Sequence, residues 1–415
     1  MEPEVSRWLD CGLQWTAVAA LVLLALRHMM HALSHQSCRH VTAWELPLFV
    51  SFLQLTAGLA TLGPPLADRS NLDGFVWVFL LLPASSSSAP SIAGTSGWLG
   101  LAARHGYATA TIGPSVALNV ACLLAPLLTA LLVATALYLS PCGHVNMAVT
   151  PTLPERCRAV ALRLVGTFFL ALHLLLLPSV VVCLSILQDG RSGQMLIVAA
   201  MAAMATCLVL LVAVAVEHMH LRCPSIFRSF HAPYLADATW FPAIDAMTHV
   251  LLGASLSLSG PNVLVLQVAL LSAILATYVV LLVAVSPYAT RVSMRCAVAA
   301  KLAQLGCLGL RASMVLAPET TATAHATLLG AVGSVVVSTL LWQLVALRRR
   351  WRSARDGSTD HHGTSPDPRG LTAIFTHRAF TPTRGHSIAS YGASPNELVF
   401  VQLTSPPARR PSMFI

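Results

Sequence analysis

The chain has 415 residues, of which 56% are hydrophobic and only 10% are charged, and its formal net charge is +9 at pH 7. An ordinary soluble domain carries about 25% charged residues, so these charges are too few to cover the surface of a soluble fold of this length. Side chains that face a lipid bilayer need no polarity. Composition therefore predicts an integral, multi-pass membrane protein.

Nine segments are long and apolar enough to be transmembrane helices, which need about 20 mostly apolar residues. The clearest are residues 116–139, 164–187, 194–216, 263–286 and 325–347. Four weaker segments cover residues 13–33, 46–66, 241–258 and 296–316. The predicted fold is thus an all-α bundle of about nine spans within residues 1–347.

Residues 67–115 do not fit this pattern. Phe75–Pro83 is apolar but only about half a span long, and a serine run, Ser85–Ser88, follows it. We expect a non-cytosolic loop with a re-entrant or interfacial dip. The alternative is a tenth span, which would move the N-terminus from the outside to the cytosol.

An arginine cluster directly after the last predicted span sets the orientation, because cytosolic loops carry the excess of basic residues. Its members are Arg348, Arg349, Arg350, Arg352 and Arg355. The cluster predicts a cytosolic C-terminus and, with nine spans, an N-terminus outside. We also expect these side chains to bind anionic lipid.

Residues 348–415 are predicted to form a disordered cytosolic tail, because they are rich in Ser, Thr, Pro and Gly and lack helical periodicity. Ser387 and Ser412 follow basic residues in patterns that resemble kinase sites. A cytosolic protein partner of the tail is a further expectation. Ten Arg against four acidic residues make the positive charge local to this tail, so no nucleic-acid partner is expected.

Asp245 and His249 are candidates for an intramembrane polar site. They are four residues apart and therefore share one face of a helix. An Asp–His pair could relay protons, because His titrates near neutral pH. The alternative is an acidic residue near the helix N-terminus, placed by Pro242 close to the cytosolic interface, with an interfacial His.

Lys301 and His173 complete the candidate site. Lys301 could pair with Asp245 at a similar predicted depth, with Gln304 extending the polar patch; alternatively, Lys301 and Arg311 extend toward opposite membrane surfaces. His173 is the deepest ionisable residue of its predicted span. It is either a proton or substrate contact or a neutral His bonded across helices.

No metal, cofactor or enzymatic activity is expected. His28, His31 and His35 could share a helix face, but their spacing matches no zinc finger pattern, and Arg27 and Arg39 would repel a cation. The sequence contains no phosphate-binding loop and no hydrolase or zinc-protease motif.

Two functions are the leading hypotheses, and an intramembrane enzyme ranks third. The first is a transporter or channel-like protein for a small solute or ion. The second is a non-transport scaffold, envelope or organelle component, or signalling protein, acting through its basic Ser/Thr-rich tail. Transport predicts that His173, Asp245, His249 and Lys301 surround one water-sized cavity, whereas a scaffold predicts that they point into separate interfaces.

Overall fold

A computed structural model describes residues 3–33, 44–62, 75, 77–79, 97–105, 107, 112–139, 160, 164, 166–168, 170–188, 233–235, 238, 240–259, 263–316 and 321–359. The chain divides into two units, Met1–Trp351 and Arg352–Ile415. The described residues of the second unit, 352–359, are helical. The following description concerns the first unit.

The described part of the first unit is helical, with one isolated backbone bridge between Tyr234 and Tyr288. The helices are α1 (Pro3–Leu33), α2 (Glu45–Gly58, followed by a 3-10 turn Leu59–Thr61), α3 (Gly97–Arg104), α4 (Ile112–Leu139), α5 (Gly166–Leu174), α6 (Leu176–Gln188), α7 (Phe241–Ser257), α8 (Leu264–Val285), α9 (Arg291–Leu316) and α10 (Thr321–Thr359).

Within the described residues, four helices have the length and apolar composition to cross a membrane, and five if the bent pair α5–α6 is one span. The four are Cys11–Met30 in α1, α8, α9 and Thr323–Arg349 in α10. Apolar helices of this kind indicate a membrane-embedded protein. The predicted span 194–216 lies outside the described residues. The helix α7, with 17 residues, is shorter than the usual span of about 20.

The helix α2 and its 3-10 turn end at Thr61, whereas the sequence predicted a span over 46–66. The sequence continues with Gly63-Pro64-Pro65. Proline lacks an N–H group and disfavours helical geometry in the residue before it, so a continuous helix through this point is costly.

The predicted span 164–187 is bent by 45° between α5 and α6. Pro178 cannot donate a hydrogen bond to the carbonyl of Leu174 four residues earlier. That carbonyl instead accepts a hydrogen bond of 2.5 Å from Nε2 of Gln54 on α2. A side chain of another helix thus satisfies the carbonyl that the proline leaves open.

The segment predicted as a loop, 67–115, contributes large side chains to the protein core. Phe75, Phe79, Trp98 and Leu101 are buried. The helix α3 packs against α6, α7 and the 3-10 turn after α2. Phe75, Phe79 and the helix α3 therefore pack against the helix bundle, where their aromatic rings have apolar neighbours.

The predicted disordered tail begins later than residue 348, because α10 continues to Thr359. The sequence has no Gly or Pro between Arg348 and Gly357, so nothing in this stretch interrupts a helix that has already formed. The predicted tail from residue 360 onward lies outside the described residues.

Packing of α2 against α9, of α9 against α8, of α8 against α7 and of α7 against α6 forms the centre of the described bundle. At one end, Nε1 of Trp342 on α10 donates a hydrogen bond of 2.9 Å to Glu45 at the start of α2. Arg348 and Arg349 follow Trp342 on α10. At this end of the bundle α2, α7 and α9 begin, and α8 and α10 approach their C-terminal ends. We call it the Arg-rich end.

Candidate functional site

The four residues predicted as an intramembrane polar site lie together. His173 comes from α5, Asp245 and His249 from α7, and Lys301 from α9. His173, Asp245 and Lys301 line a cavity of about 40 Å³ together with Ser51 of α2. A water molecule occupies about 30 Å³ in the liquid. The cavity therefore has room for one or a few waters or for a single monatomic ion.

Asp245 is the centre of the hydrogen bonds around this cavity, and its side chain is 14% exposed. The Tyr278 hydroxyl donates to Oδ1 at 2.7 Å, and Nε2–H of His173 donates to Oδ2 at 3.0 Å. Nδ1 of His249 lies 3.7 Å from the same Oδ2. A carboxylate accepts hydrogen bonds through both oxygens, and here each oxygen accepts one. Oδ2 lies between the two imidazole rings.

His249 connects Asp245 to Lys301 through a serine. A backbone carbonyl only accepts, so Nδ1–H of His249 donates to the Asp245 carbonyl at 2.7 Å. Nε2 then accepts from the Ser51 hydroxyl at 3.1 Å, and the ammonium of Lys301 donates to Ser51 Oγ at 3.0 Å. Gln304, from the predicted polar patch, donates to the Ser51 carbonyl at 3.0 Å.

Lys301 does not form the predicted ion pair with Asp245. Its Nζ bonds Ser51 Oγ and lies 5.1 Å from the centroid of the Tyr278 ring. Tyr278 and Ser51 therefore stand between the cation and the carboxylate. The alternative expectation, that Lys301 reaches the membrane surface, is also wrong, because its side chain is buried at 3% exposure.

Arg311 is likewise buried rather than extended to the membrane surface. Its Nε donates to the Leu59 carbonyl at 3.1 Å and its Nη2 to the Leu62 carbonyl at 2.7 Å. The last carbonyls of a helix have no partner within the helix and carry its partial negative charge. Arg311 thus has a structural role, capping the end of α2 at the bundle end away from the cavity.

Two tyrosines, Tyr234 and Tyr288, line the cavity, and we call this pair the tyrosine clasp. The rings of Tyr234 and Tyr288 stack at 5.1 Å. Beside them, Leu235 N–H donates to the Pro287 carbonyl at 2.8 Å and Ala289 N–H to the Pro233 carbonyl at 2.9 Å. Burial, together with the charge of Asp245, raises the pKa of both hydroxyls, so both remain neutral at physiological pH.

A second buried charge network lies on the other side of α2, where the sequence predicted no site. Glu45 accepts from Arg27 Nη1 at 2.9 Å, from Gln343 Nε2 at 2.7 Å and from Trp342 Nε1 at 2.9 Å. It borders a groove of about 390 Å³ between α2, α9 and α10 whose lining is mostly apolar. The network joins three helices and shows no ligand atoms converging on one point.

Sequence reasoning missed four cavity residues: Ser51, Tyr278, Tyr234 and Tyr288. Tyr278 had a usable signal, because it is the one aromatic hydroxyl within the apolar helix α8. Ser51 had none, since a serine inside an apolar helix commonly bonds its own backbone. The candidate phosphorylation sites Ser387 and Ser412 lie outside the described residues.

Comparison with protein-family models, with curated proteins and with solved structures finds no significant match to this chain.

Proposed function

We propose that this protein carries a small inorganic cation across a membrane, and that the cavity around Asp245 is the cation-binding site. The observation that supports this proposal is that His173, Asp245 and Lys301, from three helices, line about 40 Å³ of space. His249 contacts the same site through its hydrogen bonds to Asp245 and Ser51. Ionisable groups inside a membrane protein are expensive to bury and usually mark ion or substrate pathways.

The size and the chemistry of the cavity favour a cation. About 40 Å³ is too small for an organic solute in this conformation. The polar atoms that converge near Asp245 Oδ2 are the carboxylate itself and two imidazole nitrogens. These nitrogens become cation ligands when each ring carries its proton on its other nitrogen. The donors that would hold an anion, on Tyr278 and Lys301, already bond Asp245 and Ser51.

Lys301 supports the same proposal as a built-in countercharge. With no other ion present, its ammonium balances the Asp245 carboxylate, so the buried site is neutral overall. A cation that enters competes with this internal charge for the carboxylate. The scaffold alternative rests on the basic Ser/Thr-rich tail, 348–415, of which residues 360–415 lie outside the described residues, and on the expected absence of a deep charged site.

The test is cation uptake by proteoliposomes that contain the full-length protein. Washed vesicles are analysed by elemental mass spectrometry after incubation with Li⁺, Rb⁺, Mg²⁺, Mn²⁺ or Zn²⁺, a readout that also detects electroneutral transport. We expect uptake of at least one cation above protein-free vesicles, and at least tenfold less with Asp245→Asn or His173→Gln. Asp189→Asn, a matched change in a predicted loop, retains the wild-type rate. Uptake of none of these cations, or an unchanged rate in both cavity variants, would overturn the proposal.

A further inference from the structure

We infer that His173, Asp245 and His249 form a binding site for a divalent transition-metal cation of the zinc type. The inference deepens the proposed function, on which it rests for the role of the site, by naming the class of cation. The ligand atoms of the three residues all lie within 4.8 Å of one another. His173 and His249 are buried, and Asp245 borders the cavity.

The distances approach those of a tetrahedral metal site. Zinc binds imidazole nitrogen and carboxylate oxygen at about 2.0–2.2 Å, which places neighbouring tetrahedral ligands roughly 3.3 Å apart. Asp245 Oδ2 lies 3.0 Å from Nε2 of His173 and 3.7 Å from Nδ1 of His249. Two of the three ligand separations are therefore within about half an ångström of the required value, and the third is no longer than 4.8 Å.

The surrounding hydrogen bonds fit the same role. Metal-bound groups are usually oriented by partners on their other polar atoms. The Tyr278 hydroxyl holds Oδ1 of Asp245 at 2.7 Å and leaves Oδ2 for the ion. When Nδ1 of His249 binds the ion, it gives up its hydrogen bond to the Asp245 carbonyl. The ring then carries its proton on Nε2 and donates it to Ser51 Oγ, now 3.1 Å away. The serine oxygen has two lone pairs, so it still accepts from Lys301.

The ligand set selects the class of cation. Two imidazoles and one carboxylate suit zinc and other first-row transition metals, whereas magnesium and calcium prefer sites made of oxygen atoms alone. Three protein ligands leave one tetrahedral position open, and the cavity beside Asp245 can supply a water there. A site with an open position is suited to binding and release rather than to permanent structure.

Lys301 allows a test in which the zinc affinity is expected to rise rather than fall. A residue with a purely structural role would not give this result. Its ammonium bonds Ser51 Oγ at 3.0 Å, the same oxygen that bonds His249, and it repels a metal ion in the triad. Lys301→Met therefore raises the affinity for zinc, while changes of the three ligands lower it.

The experiment measures zinc binding to the full-length protein in detergent, purified through a tag without histidine and stripped of metal. Competition with a fluorescent chelator gives the affinity. We expect a zinc site that is at least tenfold weaker in His173→Gln, Asp245→Asn and His249→Gln, tighter in Lys301→Met and unchanged in His105→Gln. A hundredfold excess of Mg²⁺ does not displace the zinc.

X-ray absorption of the wild-type zinc complex provides a second readout that does not depend on the folding of any variant. The chain contains 10 Cys, and zinc held by thiolates shows Zn–S bonds near 2.3 Å. We expect nitrogen and oxygen ligands only. Sulfur ligands, or unchanged zinc affinity in all three ligand variants, overturn the inference.

The two proposals fail separately. If zinc does not bind the triad but Asp245→Asn stops the uptake of another cation, the metal inference is wrong and the proposed function stands. If zinc binds the triad and no cation is carried, the proposed function is wrong and the metal site stands.

Discussion

Glu45 illustrates, at the scale of a single residue, how a buried charge escapes sequence analysis. It stands at the boundary of a predicted span, where an acidic residue in the first turn is an ordinary favourable feature of a helix. In the structure it is 6% exposed and accepts hydrogen bonds from Arg27, Trp342 and Gln343. Arg27 and Gln343 are 316 residues apart, so no local pattern could have indicated that they meet.

We expect Glu45→Leu to destabilise the protein by about 3–5 kcal/mol, because removal of one member of a buried ion pair leaves the other charge without its partner. The double variant Arg27→Met/Glu45→Leu removes both charges and recovers at least half of the lost stability. Thermal unfolding of the purified proteins in detergent measures both effects. A double variant that is less stable than Glu45→Leu alone would contradict this role of the pair.

At the scale of a helix pair, the close approach of α6 and α7 depends on a missing side chain. A Cβ atom at Gly253 would lie 3.0 Å from the Val180 side chain and 3.1 Å from the Leu177 carbonyl. Small residues permit such approaches between membrane helices. Since Asp245 and His249 lie on α7 and His173 lies just before α6, this contact helps to hold the candidate site together.

Gly253→Val is expected to destabilise the protein by about 1–3 kcal/mol, the usual cost of excess volume in a packed interior. It should also weaken zinc binding at the triad, because α5 and α7 are pushed apart. Gly306→Val is the matched control, since no atom lies within 4 Å of the Cβ position there. Detergent unfolding temperatures and zinc affinities test both variants. Equal losses in the two would show that valine in a helix, rather than the α6–α7 contact, is responsible.

At the scale of the whole molecule, composition and hydrophobic patterning predicted the helical class and most helix positions. The ends of α8, for example, agree with the predicted span 263–286 to one residue, because helices in lipid must be long, apolar and internally hydrogen-bonded. Pro178 marks the predicted span 164–187 as prone to a kink, but the partner of the freed Leu174 carbonyl, Gln54 of another helix, could not be read from the sequence. The nine-span count and the orientation remain predictions.

Of the residues in the candidate site, only the ionisable ones could be predicted from the sequence. Asp245, His249, His173 and Lys301 stood out because ionisable residues are rare in membrane helices. Their mutual geometry was not predictable, because three helices meet there. The similar depth in the membrane that the sequence predicts for Asp245 and Lys301 suggested a direct ion pair. In the structure, Ser51 and Tyr278 lie between them.

The arginine cluster after the last predicted span gives a prediction for the whole protein in its lipid environment. Arg348 and Arg349 are exposed at the Arg-rich end, and each basic residue near an anionic leaflet contributes about 1 kcal/mol. We expect phosphatidylserine to raise the unfolding temperature more than phosphatidylcholine does. Changing Arg348, Arg349, Arg350, Arg352 and Arg355 to Gln should remove this difference.

The matched control for the arginine cluster changes the five tail residues Arg369, Arg378, Arg384, Arg409 and Arg410 to Gln, so that the net charge falls equally. This control should keep the preference for phosphatidylserine. If both sets remove it, net charge rather than the position of the cluster is responsible.

If the proposed cation route leads past the tyrosine clasp, the cost of separating the clasp limits the rate of passage on that side of the cavity. Separating it breaks two peptide hydrogen bonds, at about 0.5–1.5 kcal/mol each, and one ring stack of about 0.5–1.5 kcal/mol. Costs of this size correspond to a minor state with roughly 0.1–10% occupancy. If the protein carries a cation as proposed, a route that is open for so small a fraction of the time delivers ions one turnover at a time, at the rate of its own opening.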